Sequence, residues 1–342
     1  MPPRLPLFPV AALKRRTDHF APSSISSPLG TDSYRLLNRT ADGFPNLTLD
    51  KFNDVLIANL YSTGKHPERS AERFSPPQSK GPLDLLSEIQ THLRARSVYL
   101  KYRPTHASRL SVVERAALAP NRPLLGDSIK ETIATENGTR YLIRPTDGLS
   151  VGLFLDMREQ RAWVKNNSAG KTVLNCFAYT CAFGLVAQQG GASRAINVDV
   201  SKPYLDWGKR NAELNGLPVD SRDYIFGDVF DWLKRFGRAK QKFDLVILDP
   251  PSFSTTKQSR FSVEQNYSEL IALAAAVTTP GGHILASANT ADLPLKTFKA
   301  KLQTGLAEHS ARIISIAHEP EIDFPVATDT DPYLKICLVK IG

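Results

Sequence analysis

Four short segments in the second half of a 342-residue chain carry side chains suited to holding a nucleoside: LNCFAYTCAFG (174–184), VDVS (198–201), GDVF (227–230) and LDPPSF (248–253). Each reads as the end of a strand. In a doubly wound sheet, ligands bind at the carboxyl ends of strands, where the strand order reverses. Asp199 lies about 20 residues beyond the first turn, the spacing at which an acid accepts both ribose hydroxyls. Asp228, as an ionised carboxylate, is acceptor-only and suits an adenine amino group. Any one of these acids reads equally well as a helix cap or turn residue. Four such strand ends at these intervals describe a site.

The first turn decides which nucleoside. A dinucleotide fingerprint requires G-x-G-x-x-G. Here the corresponding stretch holds Asn175, Phe177, Tyr179, Thr180, Cys181 and Gly184. Bulky side chains there disfavour a pyrophosphate and favour a cofactor without phosphates. S-adenosylmethionine is such a cofactor, and its sulfonium is attracted to aromatic faces.

These residues need an alternating frame to position them. From about residue 159 the sequence supplies one. Strands are predicted at 171–175, 194–198, 224–226, 243–248, 283–287, 311–317 and 333–340. Helices are predicted at 163–167, 183–190, 202–215, 229–236, 267–277 and 298–308. Alternation of this kind implies an α/β fold, a doubly wound and mostly parallel Rossmann-like sheet. Residues 31–150 read as a smaller α+β domain. It has a hairpin around Asn53-Asp54, a loop over 64–82, an amphipathic helix over 83–96 and a strand at 98–102. A second strand pair, 139–143 with 151–155, is expected around Pro145–Gly148. Residues 1–30 are a flexible segment or carry a short helix at 10–20, and 151–342 form the catalytic domain.

Charge is unevenly spread. The net charge is +9, and residues 1–110 hold 16 Lys/Arg against 9 Asp/Glu. A basic segment beside a near-neutral one suits a polyanion-facing domain joined to a catalytic one, or simply a solvated basic surface. No apolar run approaches the roughly 20 residues that span a bilayer, so no membrane partner is expected. The three cysteines, Cys176, Cys181 and Cys337, form no C-x-x-C pair. They imply a reducing compartment and no metal site.

The stretch KTVLNCFAYTCAFG…VDVSKPYLDWGKRNAELNGL…GDVFDWL…FDLVILDPPSF (171–253) resembles the S-adenosylmethionine-dependent methyltransferases of bacterial large-subunit ribosomal RNA, which make 5-methylcytosine or 7-methylguanine. The resemblance extends to GLFLDMREQR (152–161) and DSYRLLNRTADGFPNLTLDKF (32–52). It implies that Asn175, Phe177, Ala178, Tyr179 and Thr180 hold the methionine end of S-adenosylmethionine. Asp199, with Val200 and Ser201, would hold the ribose, and Asp228, with Val229, the adenine. Phe154 and Arg158 would border the cofactor. Arg158 would pair with the methionine carboxylate or with Asp156. Asp249, Pro250, Pro251 and Phe253 would line the target base, Asp249 also touching the cofactor. Phe253 would stack on that base or anchor the loop. Asn289 would read a base edge or cap its strand. Lys257 and Arg260 would grip flanking phosphates, and Tyr267 would close over the site.

Two departures bear on the substrate. Only about 30 residues precede the segment resembling the family's central domain, too few for the RNA-binding PUA barrel of many relatives. Position 181 is glycine in most of the family, and Cys181 is read as a tolerated small residue. Methylation at carbon 5 of cytosine needs a cysteine nucleophile. Cytosine-type relatives carry it after the fifth strand, where this chain reads LASANT (285–290). Attack by a nitrogen needs only an aligned lone pair, so nitrogen methylation of ribosomal RNA is expected. A protein or small-molecule acceptor is the alternative, and a noncatalytic RNA-binding assembly factor a further one. A cytoplasmic location is expected, with a mitochondrial or plastid matrix as the alternative, and a homodimer stays open.

Overall fold

The structure is a computed structural model describing residues 10–21, 30–62, 82–104, 117–255, 260–327 and 331–342. The loop expected over 64–82 lies almost wholly outside them. The chain divides into two compact units, residues 1–155 with 321–328, and residues 156–320 with 329–342. The second unit thus begins five residues after the boundary expected at 151. The segment 321–328 returns to the first unit, as two hydrogen bonds show. The Arg35 amide donates to Asp323 at 3.1 Å, and the Asn38 amide group donates to Pro325 O at 2.9 Å.

The first unit opens with helix α1 (Val10–His19). Leu13, Arg16 and Phe20 fall on one face and are buried. The Arg16 charge is met by Asp42 at 2.7 Å. A five-stranded sheet follows: β1 (Ser33–Asn38), β2 (Leu47–Phe52), β3 (Val55–Ser62), β4 (Ser97–Pro104) and β5 (Leu125–Gly126), in that order. β2 and β3 form the hairpin expected around Asn53-Asp54, and Asn53 takes φ 55° at its turn. Helix α2 (Pro82–Leu93) packs Leu86 and Ile89 onto this sheet. The second strand pair differs from expectation. β7 (Thr139–Ile143) pairs with β6 (Thr132–Glu136), not with residues 151–155. Between them Asn137 and Gly138 both have positive φ, 48° and 75°. Two consecutive left-handed residues match the natural strand twist, so Asn-Gly closes the hairpin. The proline-containing turn only redirects the chain.

The second unit is the expected doubly wound α/β sheet. Its strands are β8 (Thr172–Cys176), β9 (Arg194–Asp199), β10 (Tyr224–Phe226), β11 (Phe243–Leu248), β14 (Thr278–Asn289), β15 (Ala311–Ala317) and β16 (Leu334–Ile341). Their order is β10-β9-β8-β11-β14-β16-β15. The first five are parallel along the sheet, and only β16 runs against its neighbours. A hairpin of β12 (Phe253–Thr255) and β13 (Arg260–Ser262) stands apart from it. The helices are α3 (Arg158–Asn166), α4 (Ala182–Gln189), α5 (Lys202–Leu214), α6 (Val229–Arg238), α7 (Val263–Val277) and α8 (Leu295–Gly305).

Period-two alternation feeds two cores. Leu174, Val246 and Ile284 enter one, with Tyr267 and Phe298. Val173, Leu245, Ile247 and Leu285 enter the other, with Met157 and Phe183. Strands that read as continuous apolar runs are those buried on both faces. The order reverses between β8 and β11, so the crevice for a ligand opens at their carboxyl ends.

Candidate active site

β8 ends at Cys176, and α4 begins at Ala182. Between them Phe177, Tyr179 and Cys181 all take the left-handed conformation, with φ of 57°, 49° and 60°. These alternate positions are where a glycine-rich turn would carry glycine, and each costs a non-glycine residue about 1–2 kcal/mol. The surroundings hold them there. Ala178 N donates to Val198 O at 3.0 Å and Cys181 N to Ala178 O at 2.7 Å. Tyr179 N donates to Asp199 Oδ2 at 2.8 Å. These three amides are satisfied inside the protein.

Cys181 is 1% exposed, and it sits where Gly208 of α5 leaves room. A Cβ on Gly208 would lie 2.4 Å from the Cys181 sulfur. Burial pushes the Cys181 thiol well up, and that of Cys176 likewise. Neither is poised as a nucleophile. Asn175, expected at the methionine end, is 1% exposed, and its amide donates to Asn197 Oδ1 at 2.9 Å. Gly184 packs directly on Asn197, so this asparagine pair ties β8, β9 and α4 together beneath the turn. Thr180 is also fully buried.

Asp199 ends β9 and joins two loops. Its second oxygen accepts from Ser201 N at 2.8 Å. Burial raises its pKa against the pull of these backbone bonds. Beside it lie two exposed apolar side chains, Val200 at 48% and Phe226 at 62%. Phe226 pairs with Asp199 across the parallel strands, and Gly227 N donates to Asp199 O at 3.0 Å. An acid flanked by open apolar surface suits a nucleoside, with its polar ribose and flat base. Phe226 escaped the sequence reading, although its place at a strand end just before Gly-Asp was the signal. Asp228 caps α6, accepting from Phe230 N at 2.9 Å and Asp231 N at 3.4 Å. Val229, expected at the adenine, is 2% exposed and packs in the core, because the first turn of α6 aims it at the sheet.

Asp249 follows β11 at the switch point and is half-buried. Ser287 Oγ donates to its Oδ1 at 2.5 Å. Burial pushes the Asp249 carboxyl up to about 6, the Ser287 bond and Arg161 oppose this, and Asp156 adds to it. Pro250 is buried and Pro251 exposed. The next residue, Ser252, donates to the carbonyl of exposed Asn289 at the end of β14. Asp249 and Asn289 are therefore joined through two serines. Phe253 starts β12, and Arg260 starts β13 opposite Thr255. The side chains of Phe253 and Arg260, and all of Lys257, lie outside the described residues.

Tyr267 does not close over the site. It is fully buried, its hydroxyl donates to Ser287 O at 2.7 Å, and its ring meets Phe298 edge-on at 4.9 Å. α7 begins four residues earlier, at Val263, where Ser262 caps it, so Tyr267 falls on the inward face. Arg158 is 4% exposed at the start of α3. Neighbouring Asp156 accepts from Tyr333 Oη at 2.8 Å. Phe154 is 45% exposed and belongs to the first unit.

Fold and site together define a doubly wound α/β protein with a candidate nucleoside site at the carboxyl ends of its strands, and comparison with known proteins narrows this. A family profile for S-adenosylmethionine-dependent methyltransferases matches residues 44–325, and the chain belongs to that family. The chain is 33% identical to ribosomal RNA large subunit methyltransferase I of Photobacterium profundum over 75% of its length and 60% of the relative's. It is 32% identical to the Serratia proteamaculans protein of that name over 79% of its length and 64% of the relative's. It thus spans about three-fifths of the length of these relatives. SMU.776, a chain assigned as a methyltransferase and solved with SAH, superposes with a TM-score of 0.80 at 27% identity, over 99% of this chain and 83% of its own.

Proposed function

We propose that this protein transfers a methyl group from S-adenosylmethionine to a base of large-subunit ribosomal RNA, at nitrogen rather than carbon. The observation that carries the reading is the pairing of Asp199, flanked by exposed Val200 and Phe226, with Asp249 at the neighbouring switch point. The residues present fit the cofactor. Asp199 would accept the ribose hydroxyls, exposed Val200 and Phe226 would offer apolar surface to the adenine, and Asp228 would accept from its amino group. Phe177 would lie on the sulfonium's side of the turn, whereas the Tyr179 ring packs edge-on against Tyr204 of α5 at 4.6 Å. The bound cofactor supplies an electrophilic methyl group. The protein's part is to orient the acceptor: Asp249 accepts a hydrogen bond from it, the two prolines stiffen the loop, and Asn289 contacts its edge.

Nitrogen is favoured because all three cysteines are buried and their thiols are pushed up, that of Cys337 to about 11. A covalent route through carbon 6 of cytosine would require an accessible thiolate. Arg158 and Phe253 keep the roles that the family resemblance implies, and Lys257 and Arg260 the phosphate-gripping role read from their charge and place after the proline loop. The compartment is one that holds ribosomal RNA, the cytoplasm or an organelle matrix. The relatives' names support the substrate, and the basic first third of the chain supports a polyanion.

Tritiated methyl transfer tests the reading, with unmodified large- and small-subunit ribosomal RNA and total protein as acceptors. Label should enter large-subunit RNA, vanish with Asp249→Ala, and survive replacement of all three cysteines. Label in protein alone would overturn the RNA assignment. Loss of transfer in the cysteine-free protein, with cofactor still bound, would overturn the nitrogen assignment.

A further inference from the structure

Ser287 and Asp249 lie 38 residues apart on different strands, and only the fold brings them together. Ser287 Oγ is 2.5 Å from Asp249 Oδ1 and 3.3 Å from Leu248 O. A hydroxyl has one proton to give, and the shorter, charge-assisted bond takes it. Ser287 is 1% exposed and cannot swing away. The buried hydroxyl of Tyr267 grips its carbonyl from α7. Two residues on, Ser252 grips the carbonyl of Asn289. Lys335 Nζ, on β16, then donates to Thr290 O at 2.8 Å. The end of β14 is thus held from α7, from the proline loop and from β16. The charged or titratable groups acting on Asp249 are Asp156, two residues before α3, Arg161 within α3, and Tyr267 on α7. Asp156 repels a carboxylate at position 249 and Arg161 attracts it.

We infer that Ser287 is a positioning residue of the methyl-acceptor site, whose hydroxyl holds the Asp249 carboxylate ionised and aimed at the acceptor. This rests on the methyltransferase reading above. Burial and Asp156 both favour the neutral acid, which would present a proton where the acceptor needs a lone pair. The Ser287 bond is the largest effect opposing them. Its neighbours supply rigidity and no charge reversal, so the hydroxyl is the element on which the ionisation turns.

The test uses the full chain and three variants, Ser287→Ala, Ser287→Thr and Ser287→Cys, with S-adenosylhomocysteine bound for the first readout and S-adenosylmethionine supplied for the second. The first readout needs no acceptor. Carbon-13 aspartate NMR follows the Asp249 carboxyl against pH, its signal assigned by loss in Asp249→Asn. Ser287→Ala should move the midpoint up by about one pH unit, since a hydrogen bond to a charged group is of that order. Threonine should restore the native midpoint, and cysteine, a weaker donor, should fall between. The second readout is methyl transfer to unmodified ribosomal RNA. Ser287→Ala should be about three-fold slower in kcat/KM at pH 6.5 and near parity at pH 9, as a one-unit midpoint move requires.

An unmoved midpoint in Ser287→Ala would overturn the inference, as would an equal loss at both pH values, which is the mark of a packing defect. If the native chain transfers no methyl to RNA while the midpoint still follows residue 287, the RNA assignment fails and the role of Ser287 stands.

Discussion

At Asp249, the proposed acceptor-site residue, the fold works against the ionised side chain. Its folded pKa is raised to about 6 from an ordinary value of 3.8. The protonated form is therefore the one that the fold prefers. Its stabilising contribution is full below about pH 4 and is lost as pH rises through about 6, where the folded protein must carry a buried charge. Asparagine is isosteric with the acid and avoids that charge. Asp249→Asn should melt with the native protein near pH 4 and above it at pH 8, by the equivalent of about 1–3 kcal/mol. Paired melting curves at the two pH values check this. A variant more stable at pH 8 yet inactive in methyl transfer would mark Asp249 as held for chemistry, not folding.

At the scale of elements, the turn between β8 and α4 is strained at three alternate residues and relieved by its neighbours. Cys181 trades a left-handed backbone for a buried side chain, and Gly208 of α5 provides the space. Cys181→Gly alone should stay within about 1 kcal/mol of the native stability, since backbone relief offsets lost packing. Gly208→Ala alone should destabilise by about 1–3 kcal/mol, because its methyl group would overlap the Cys181 sulfur. Together the two should cost clearly less than Gly208→Ala by itself. A double-mutant cycle in denaturant measures that coupling, and simple additivity would refute the account. The frame of this turn was readable in the sequence: apolar strand, polar turn, apolar helix. Its support was not. The Asn175–Asn197 pair bridges 22 positions, so an asparagine that reads as a ligand contact is a tie between strands.

For the whole molecule, the charge asymmetry carries the expectation. The first unit displays Lys14, Arg15, Arg94, Arg122 and Lys130 on its surface. RNA binding that rests on such residues is dominated by counterion release. Affinity for ribosomal RNA should fall at least about ten-fold between 50 and 200 mM salt. Lys14→Glu with Arg15→Glu should weaken it further and leave S-adenosylhomocysteine affinity unchanged. Filter binding and calorimetry separate the two effects. RNA affinity insensitive to salt would argue against a phosphate-led interface.

Alternation of apolar strands with amphipathic helices sufficed to determine the α/β sheet, acids at the strand ends marked its candidate site, and the family resemblance of the motifs pointed to S-adenosylmethionine. These are properties of local pattern: residue spacing fixes which way a side chain leaves a strand or helix. Pairing and facing were decided only by the tertiary structure. It turned Tyr267 and Val229 into the core and left Phe226 exposed beside Asp199. It also set Ser287 against Asp249 across 38 positions. The physical reason is common to all of these. A side chain's direction is local, but what it meets depends on which distant element packs there, and no residue spacing along the chain encodes that contact.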